Sequence, residues 1–177
     1  MLSPALVKLL FPSDTASSLC GVSMGDPVSN LTLPAWWSDT LTAGKRVGWL
    51  ELGDSGISRA FCEAEETLGK TSTVRATLYP DPCPNDFPNP IERALYDDLN
   101  ALLTKRLGKR KSKEKKMTCW DVPGPLAGEL LLQLDAGHQS RVWITLKLAS
   151  GVQIEAEPTE AAGDFETRSE ERRVGKE

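Results

Sequence analysis

The sequence predicts an α+β fold: mixed strands and two or three helices, followed by a C-terminal three-stranded antiparallel meander. Two observations carry this. Apolar residues recur at three and four positions in windows near residues 2–11, 56–68 and 89–107, whereas residues 129–157 fall into short runs of alternation separated by turns. Helices and strands are therefore mixed first, and strands dominate later, which argues against a doubly wound parallel sheet. A composition of 40% hydrophobic and 26% charged residues in 177 is that of a globular chain able to bury a core.

Taken in order, MLSPALVKLLFPSD reads as a short amphipathic helix over Leu2–Phe11. Pro4 and Lys8 interrupt it and no basic region precedes it, so it does not read as a signal peptide. LPAWWSDTL carries adjacent tryptophans, Trp36 and Trp37, which must point to different sides of any regular element; both are candidate interface residues. KRVGWLELG, residues 45–53, reads as a strand buried on both faces, Val47 and Trp49 on one and Leu50 and Leu52 on the other. Gly56–Leu68 places Ile57, Phe61, Ala64 and Leu68 at helical spacing, with Gly69 as a C-terminal cap.

TSTVRATLY, residues 71–79, alternates as a half-buried strand, and the proline-rich PDPCPNDFPNP that follows is a constrained loop. Asn89 as cap, Pro90 at the first position and Glu92 in the first turn open a helix whose stripe is Ile91, Leu95, Leu99, Leu102, Leu103 and Leu107, stopped by Gly108. MTCWDVPGPLAG reads as a connection. Then come ELLLQLD, RVWITLKL and VQIEAE, joined by AGHQS and ASG, as the meander; Trp143 falls on its polar face and is a third candidate interface residue.

The organisation expected from this is an N-terminal, partly irregular segment over 1–44, an α/β unit over 45–107 ending in the amphipathic helix, and a basic linker over 108–116. An antiparallel β meander over 117–158 and a flexible end over 159–167 follow. Residues 168–177, RSEERRVGKE, stand apart, with one apolar residue and no periodicity. All ten resemble the conceptual translation of a widely used sequencing adapter, which implies a non-native segment and a chain that is a fragment of a larger intracellular eukaryotic protein.

Site chemistry is sparse. Cys20, Cys62, Cys83 and Cys119 are widely spaced with no CxxC pair, so neither a zinc site nor a disulfide framework is suggested, and a reducing intracellular setting, nuclear or cytoplasmic, is expected. No metal or other cofactor is expected. Asn30-Leu31-Thr32 matches a glycosylation acceptor, set aside without a secretory signal.

Gly53-Asp54-Ser55-Gly56 resembles a serine-protease nucleophile segment, but Ile57 stands where that pattern has glycine and the one histidine, His138, lies in an expected turn. Ala64 to Thr71 fits a relaxed phosphate-loop pattern in the wrong structural order, with Glu65 and Glu66 against any anion. Asp97-Asp98 and Glu65-Glu66, as neighbours on a helix, would not share a site.

What remains is charge segregation. KRLGKRKSKEKK, residues 105–116, is eight parts basic in twelve (Lys105, Arg106, Lys109, Arg110, Lys111, Lys113, Lys115, Lys116), with Glu114 its one acid, while the whole chain has a net charge of −4. Such a block suits nuclear import, nucleic-acid phosphates or anionic lipid, or simply a solvated linker; without an aromatic residue it offers no base stacking. Ser112 within it is a candidate phosphosite whose modification would weaken that binding. No apolar run approaches a membrane span. The expectation is a non-catalytic protein–protein interaction module or complex subunit, such as a scaffold; a nucleic-acid-binding segment of a nuclear protein using residues 105–116 is the alternative, and an enzyme fragment whose catalytic residues are missing is the third.

Overall fold

The computed structural model describes residues 2–27, 37–42, 45–54, 57–80, 90–134 and 141–156. The fold is α+β, a large antiparallel sheet with helices and a small hairpin on one face. Helix α1 (Pro4–Leu10) starts two residues later than Leu2: Ser3 caps it, its hydroxyl accepting the Leu6 N–H at 3.1 Å, and Pro4 opens the first turn instead of interrupting it. A two-stranded hairpin follows, β1 (Ser18–Leu19) and β2 (Val22–Ser23). The sheet contains β3 (Trp37–Thr42), β4 (Lys45–Asp54), β5 (Ile57–Thr67), β6 (Lys70–Pro80), β7 (Ser112–Lys113), β8 (Met117–Val122), β9 (Gly128–Leu134) and β10 (Val142–Leu148). Helix α2 (Pro90–Leu107) lies between β6 and β7 in sequence.

Strand order across the sheet is β3-β4-β5-β6-β10-β9-β8-β7, each neighbour antiparallel. Two meanders, β3–β6 and β7–β9, are thus joined by the last strand, which slides between β6 and β9.

Four expectations fail here. The helix over Gly56–Leu68 is strand β5: Ala60, Cys62 and Ala64 point to the core at period two, and Leu68 and Gly69, both at positive φ (52° and 76°), form the tight turn into β6. The run VQIEAE is not the third strand of the meander: residues 152–156 form no ladder, because β6 already occupies the edge of β10 that it would need. The third strand is β8 instead, within the stretch read as a connection. Strand β4 is not buried on both faces, since Trp49 is 44% exposed. Among the described residues there are two helices.

One face of the sheet is the core. Val74, Ala76 and Leu78 of β6, Val142, Ile144 and Leu146 of β10, Leu130 and Leu132 of β9, and Trp120 and Val122 of β8 are all essentially buried. Helix α2 covers the β8–β10 side with Leu95, Tyr96, Leu99 and Leu103, and α1 with the β1–β2 hairpin completes the same cluster. Side-chain size follows the covering: large residues stand under α2, whereas Ala60, Cys62, Ala64 and Ala76 make a shallow bed near the hairpin, so each cover fits at close-packed density. Several polar groups buried under α2 are paired, although the Trp120 indole N–H is buried without a hydrogen-bond partner among the described residues. The Tyr96 and Thr118 hydroxyls lie 2.9 Å apart, and Asn100 Nδ2 donates to Thr118 Oγ1 at 3.4 Å.

Candidate functional site

Strand alternation sends every second side chain to the face opposite the core, and antiparallel register lines these up into rows. One row runs Trp49, Phe61, Thr77, Trp143, Gln133, Met117 across β4, β5, β6, β10, β9 and β8. The next pairs Arg59 with Tyr79. Their side chains make one cluster: the Trp49 ring centroid is 4.8 Å from that of Phe61 and 5.6 Å from that of Tyr79, both tilted. Arg59 lies over the Trp49 ring at 4.7 Å and over Tyr79 at 5.7 Å, Arg141 over Tyr79 at 5.8 Å, and Arg75 over Trp143 at 5.9 Å. Each guanidinium is thereby placed within cation–π distance of an aromatic ring.

The far end of the same face is different. Asp121 and Glu129 stand directly opposite each other across β8 and β9, an unfavourable like-charge pairing. Lys111 answers it, bonding Glu129 and lying 3.4 Å from Asp121, while Lys147 reaches Glu129 at 3.6 Å. Hydrogen bonding from Lys111 holds the Glu129 carboxyl below its ordinary pKa against the opposing effect of burial, and raises that of Lys111. Lys45 and Glu65, 2.5 Å apart at the surface, form a further pair along this row.

These contacts place the basic segment. Lys111 is engaged in that cluster, Arg110 donates to Thr104 Oγ1 at 3.1 Å, and Arg106 donates to the Ser13 carbonyl at 3.2 Å and stacks on Phe11 at 5.9 Å. Lys105, Lys109, Lys113, Lys115 and Lys116 are exposed. Lys105 lies in the last turn of α2, Lys109 in the connection after it, Lys113 in β7, and Lys115 and Lys116 in the turn from β7 to β8, so the sheet edge is short and lysine-rich, a pattern that discourages further strand pairing. Ser112 is exposed beside them, opposite Cys119.

Of the candidate tryptophans, Trp143 joins the Arg–aromatic face, Trp37 lies in β3 opposite Gly48, and Trp36 lies outside the described residues, as do His138 and Cys83. Sequence reading overlooked Trp49, Phe61, Tyr79, Arg59, Arg75 and Arg141 as a site. The alternation of 45–53 and 71–79 was the available signal, but reading β5 as a helix removed the strand that joins them.

Among the described residues no acid–base constellation accompanies these features. A cavity of about 230 Å³ between the N-terminal hairpin and the β8–β9 loop has Asp26 as its one ionisable lining residue, and that carboxylate accepts the Ser23 N–H at 2.9 Å. Among the described residues no group of three His, Cys, Asp or Glu is placed to hold a metal, and no helix is long and apolar enough to cross a membrane. Comparison with protein-family descriptions, curated proteins and solved structures yields no match to this chain.

Proposed function

We propose that this chain is a non-catalytic protein–protein interaction module, a subunit or scaffold piece of a larger intracellular protein, and that it binds its partner through the Arg–aromatic face. The observation that carries this is Trp49, 44% exposed yet stacked among Phe61, Tyr79 and Arg59 on the face that α1 and α2 leave open. Tryptophan, tyrosine and arginine dominate the energetics of protein interfaces, because each offers a large rigid contact with a polar handle. Here they are already ordered against one another, so little side-chain entropy is lost on docking. The complementary partner is a surface with an apolar anchor ringed by carboxylates.

The test is affinity capture from cell extract with the native chain and with Trp49→Ala plus Arg59→Glu, both checked for folding by circular dichroism. Specific capture lost in the variant supports the reading; capture of nothing, or equal capture by both, sinks it. A second reading, nucleic-acid binding by the basic segment, is favoured by the exposure of Lys105, Lys109, Lys113, Lys115 and Lys116. It predicts binding that weakens steeply with salt and is lost when these lysines become Gln, while Trp49→Ala leaves it intact.

A further inference from the structure

The hairpin that caps the sheet turns at Leu19-Cys20-Gly21-Val22, with φ of 53° at Cys20 and 82° at Gly21. A two-residue turn of this hand needs positive φ at both central positions and favours Asn, Asp or Gly, because a Cβ there crowds the backbone. Cysteine is an unfavourable choice unless its side chain does something the usual residues cannot.

Its sulfur lies 3.4 Å from that of Cys62, a residue 42 positions away on β5, and both side chains are within 1% of full burial. Cys62 is flanked across the strands by Gly48 and Ala76 and along its own face by Ala60 and Ala64, so the turn can settle close to the sheet at this point. Other anchors hold the hairpin in register: Cys20 N–H donates to the Leu10 carbonyl at 2.8 Å, and Gly25 N–H and the Asp26 carbonyl pair with Thr71, each at 2.8 Å. Cys119 projects from the opposite face of the sheet and cannot compete.

We propose that Cys20 and Cys62 are a disulfide-forming pair, a covalent latch between the N-terminal hairpin and strand β5. Closing the bond requires the sulfurs to approach from their present contact to about 2.05 Å, a movement available to a side chain on a short turn. The oxidant is a small-molecule disulfide. A thiolate of the pair attacks it, forming a mixed disulfide and expelling one small thiolate; the second cysteine, once deprotonated, attacks the mixed disulfide and expels the other. Two cysteine sulfurs are oxidised, two small-molecule sulfurs are reduced, and the two cysteine protons end on the released thiols.

In the closed hairpin, the hydrogen-bonded Cys62 thiol and then burial hold the Cys20 thiol well above the ordinary range, so exchange proceeds through transient lifting of the hairpin. The latch is slow to set and, once set, protected.

The experiment uses the native full chain, incubated with glutathione disulfide until its thiol content is constant, then denatured, alkylated and mapped without reduction. The expected result is a fall from four free thiols to two, one cross-linked peptide pair containing Cys20 and Cys62, and reversal by dithiothreitol. The oxidised form should also melt about 5–10 °C higher. Four remaining thiols, stable glutathione adducts, or a cross-link through Cys83 or Cys119 would each overturn the proposal. In Cys62→Ala the oxidant should no longer raise the melting temperature; should that variant fail to fold, the wild-type peptide map decides alone. None of these readouts depends on a binding partner.

Discussion

The two faces of the sheet are built from the same strands by the same alternation, yet they solve opposite problems. On the covered face, leucine, valine, alanine and Trp120 interlock with α2 and the N-terminal hairpin, and buried polar groups such as Tyr96, Asn100 and Thr118 bond one another. On the open face, Trp49, Tyr79 and Trp143 lie against arginines at one end, with Phe61 packed on Trp49, and an ion cluster around Glu129 fills the other. The covered face spends its side chains on folding, where every methylene is felt; the open face holds its aromatic groups in order with contacts that leave one side of them free. If the open face is the binding face proposed above, stability and recognition should be separable by substitution.

The largest effect should come from Trp120→Ala, which empties a fully buried site on the covered face; urea unfolding should show a loss of about 3–5 kcal/mol. Ala76→Leu tests the shallow bed: Ala76 is completely buried in the row next to Cys62, and overpacking should cost about 1–3 kcal/mol and lift the hairpin, read as faster hydrogen exchange at Cys20 and Thr71. Trp49→Ala, on the other face, should shift stability by no more than about 1 kcal/mol while abolishing partner capture. A large stability loss there would merge the two faces into one role.

The smallest effect is a matter of pH. Lys111 lowers the folded-state pKa of Glu129, so this carboxylate contributes stability that is fully present above its unfolded pKa and is lost as pH falls through the folded value. Glu129→Gln should therefore flatten the acid limb of a stability-versus-pH curve below the ordinary carboxylate range and leave the neutral region with a constant offset. An unchanged acid limb would mean that the Lys111 contact does not persist in solution.

How much of this could be read from the chain depends on which residues fill each face. Helix α2 was legible because Pro90, Glu92 and the leucines at three and four spell out start, polarity and packing together. Strand β5 was not, because its core-facing residues are Ala60, Cys62 and Ala64, small groups chosen for close approach of a hairpin, which leave little hydrophobic signal at period two. Phe61, the loud residue, faces the other way, and Ile57, Phe61, Ala64 and Leu68 fall at helical spacing by coincidence.

Gly69 added to the misreading, since a positive-φ glycine ends a helix and closes a two-residue hairpin equally well. The place of VQIEAE could not be inferred locally at all: whether it pairs depends on β6 having claimed β10 from some seventy residues upstream. For the same reason the Arg–aromatic cluster was invisible, because it exists only once β4, β5, β6 and β10 lie side by side. The charge block was obvious, but its composition could not reveal that Lys111 is committed to neutralising two acids of the sheet.

The insertion of β10 between β6 and β9 also fixes a timetable. As the chain emerges during synthesis, β3–β6 and β7–β9 can each zip up by local hairpins, but both must wait with an unsatisfied edge for Val142–Leu148 to arrive. Until then two rows of backbone donors and acceptors are available to any passing strand. Strand β10 is thus the keystone of assembly, and a nascent chain stalled before it would be the species most in need of a chaperone.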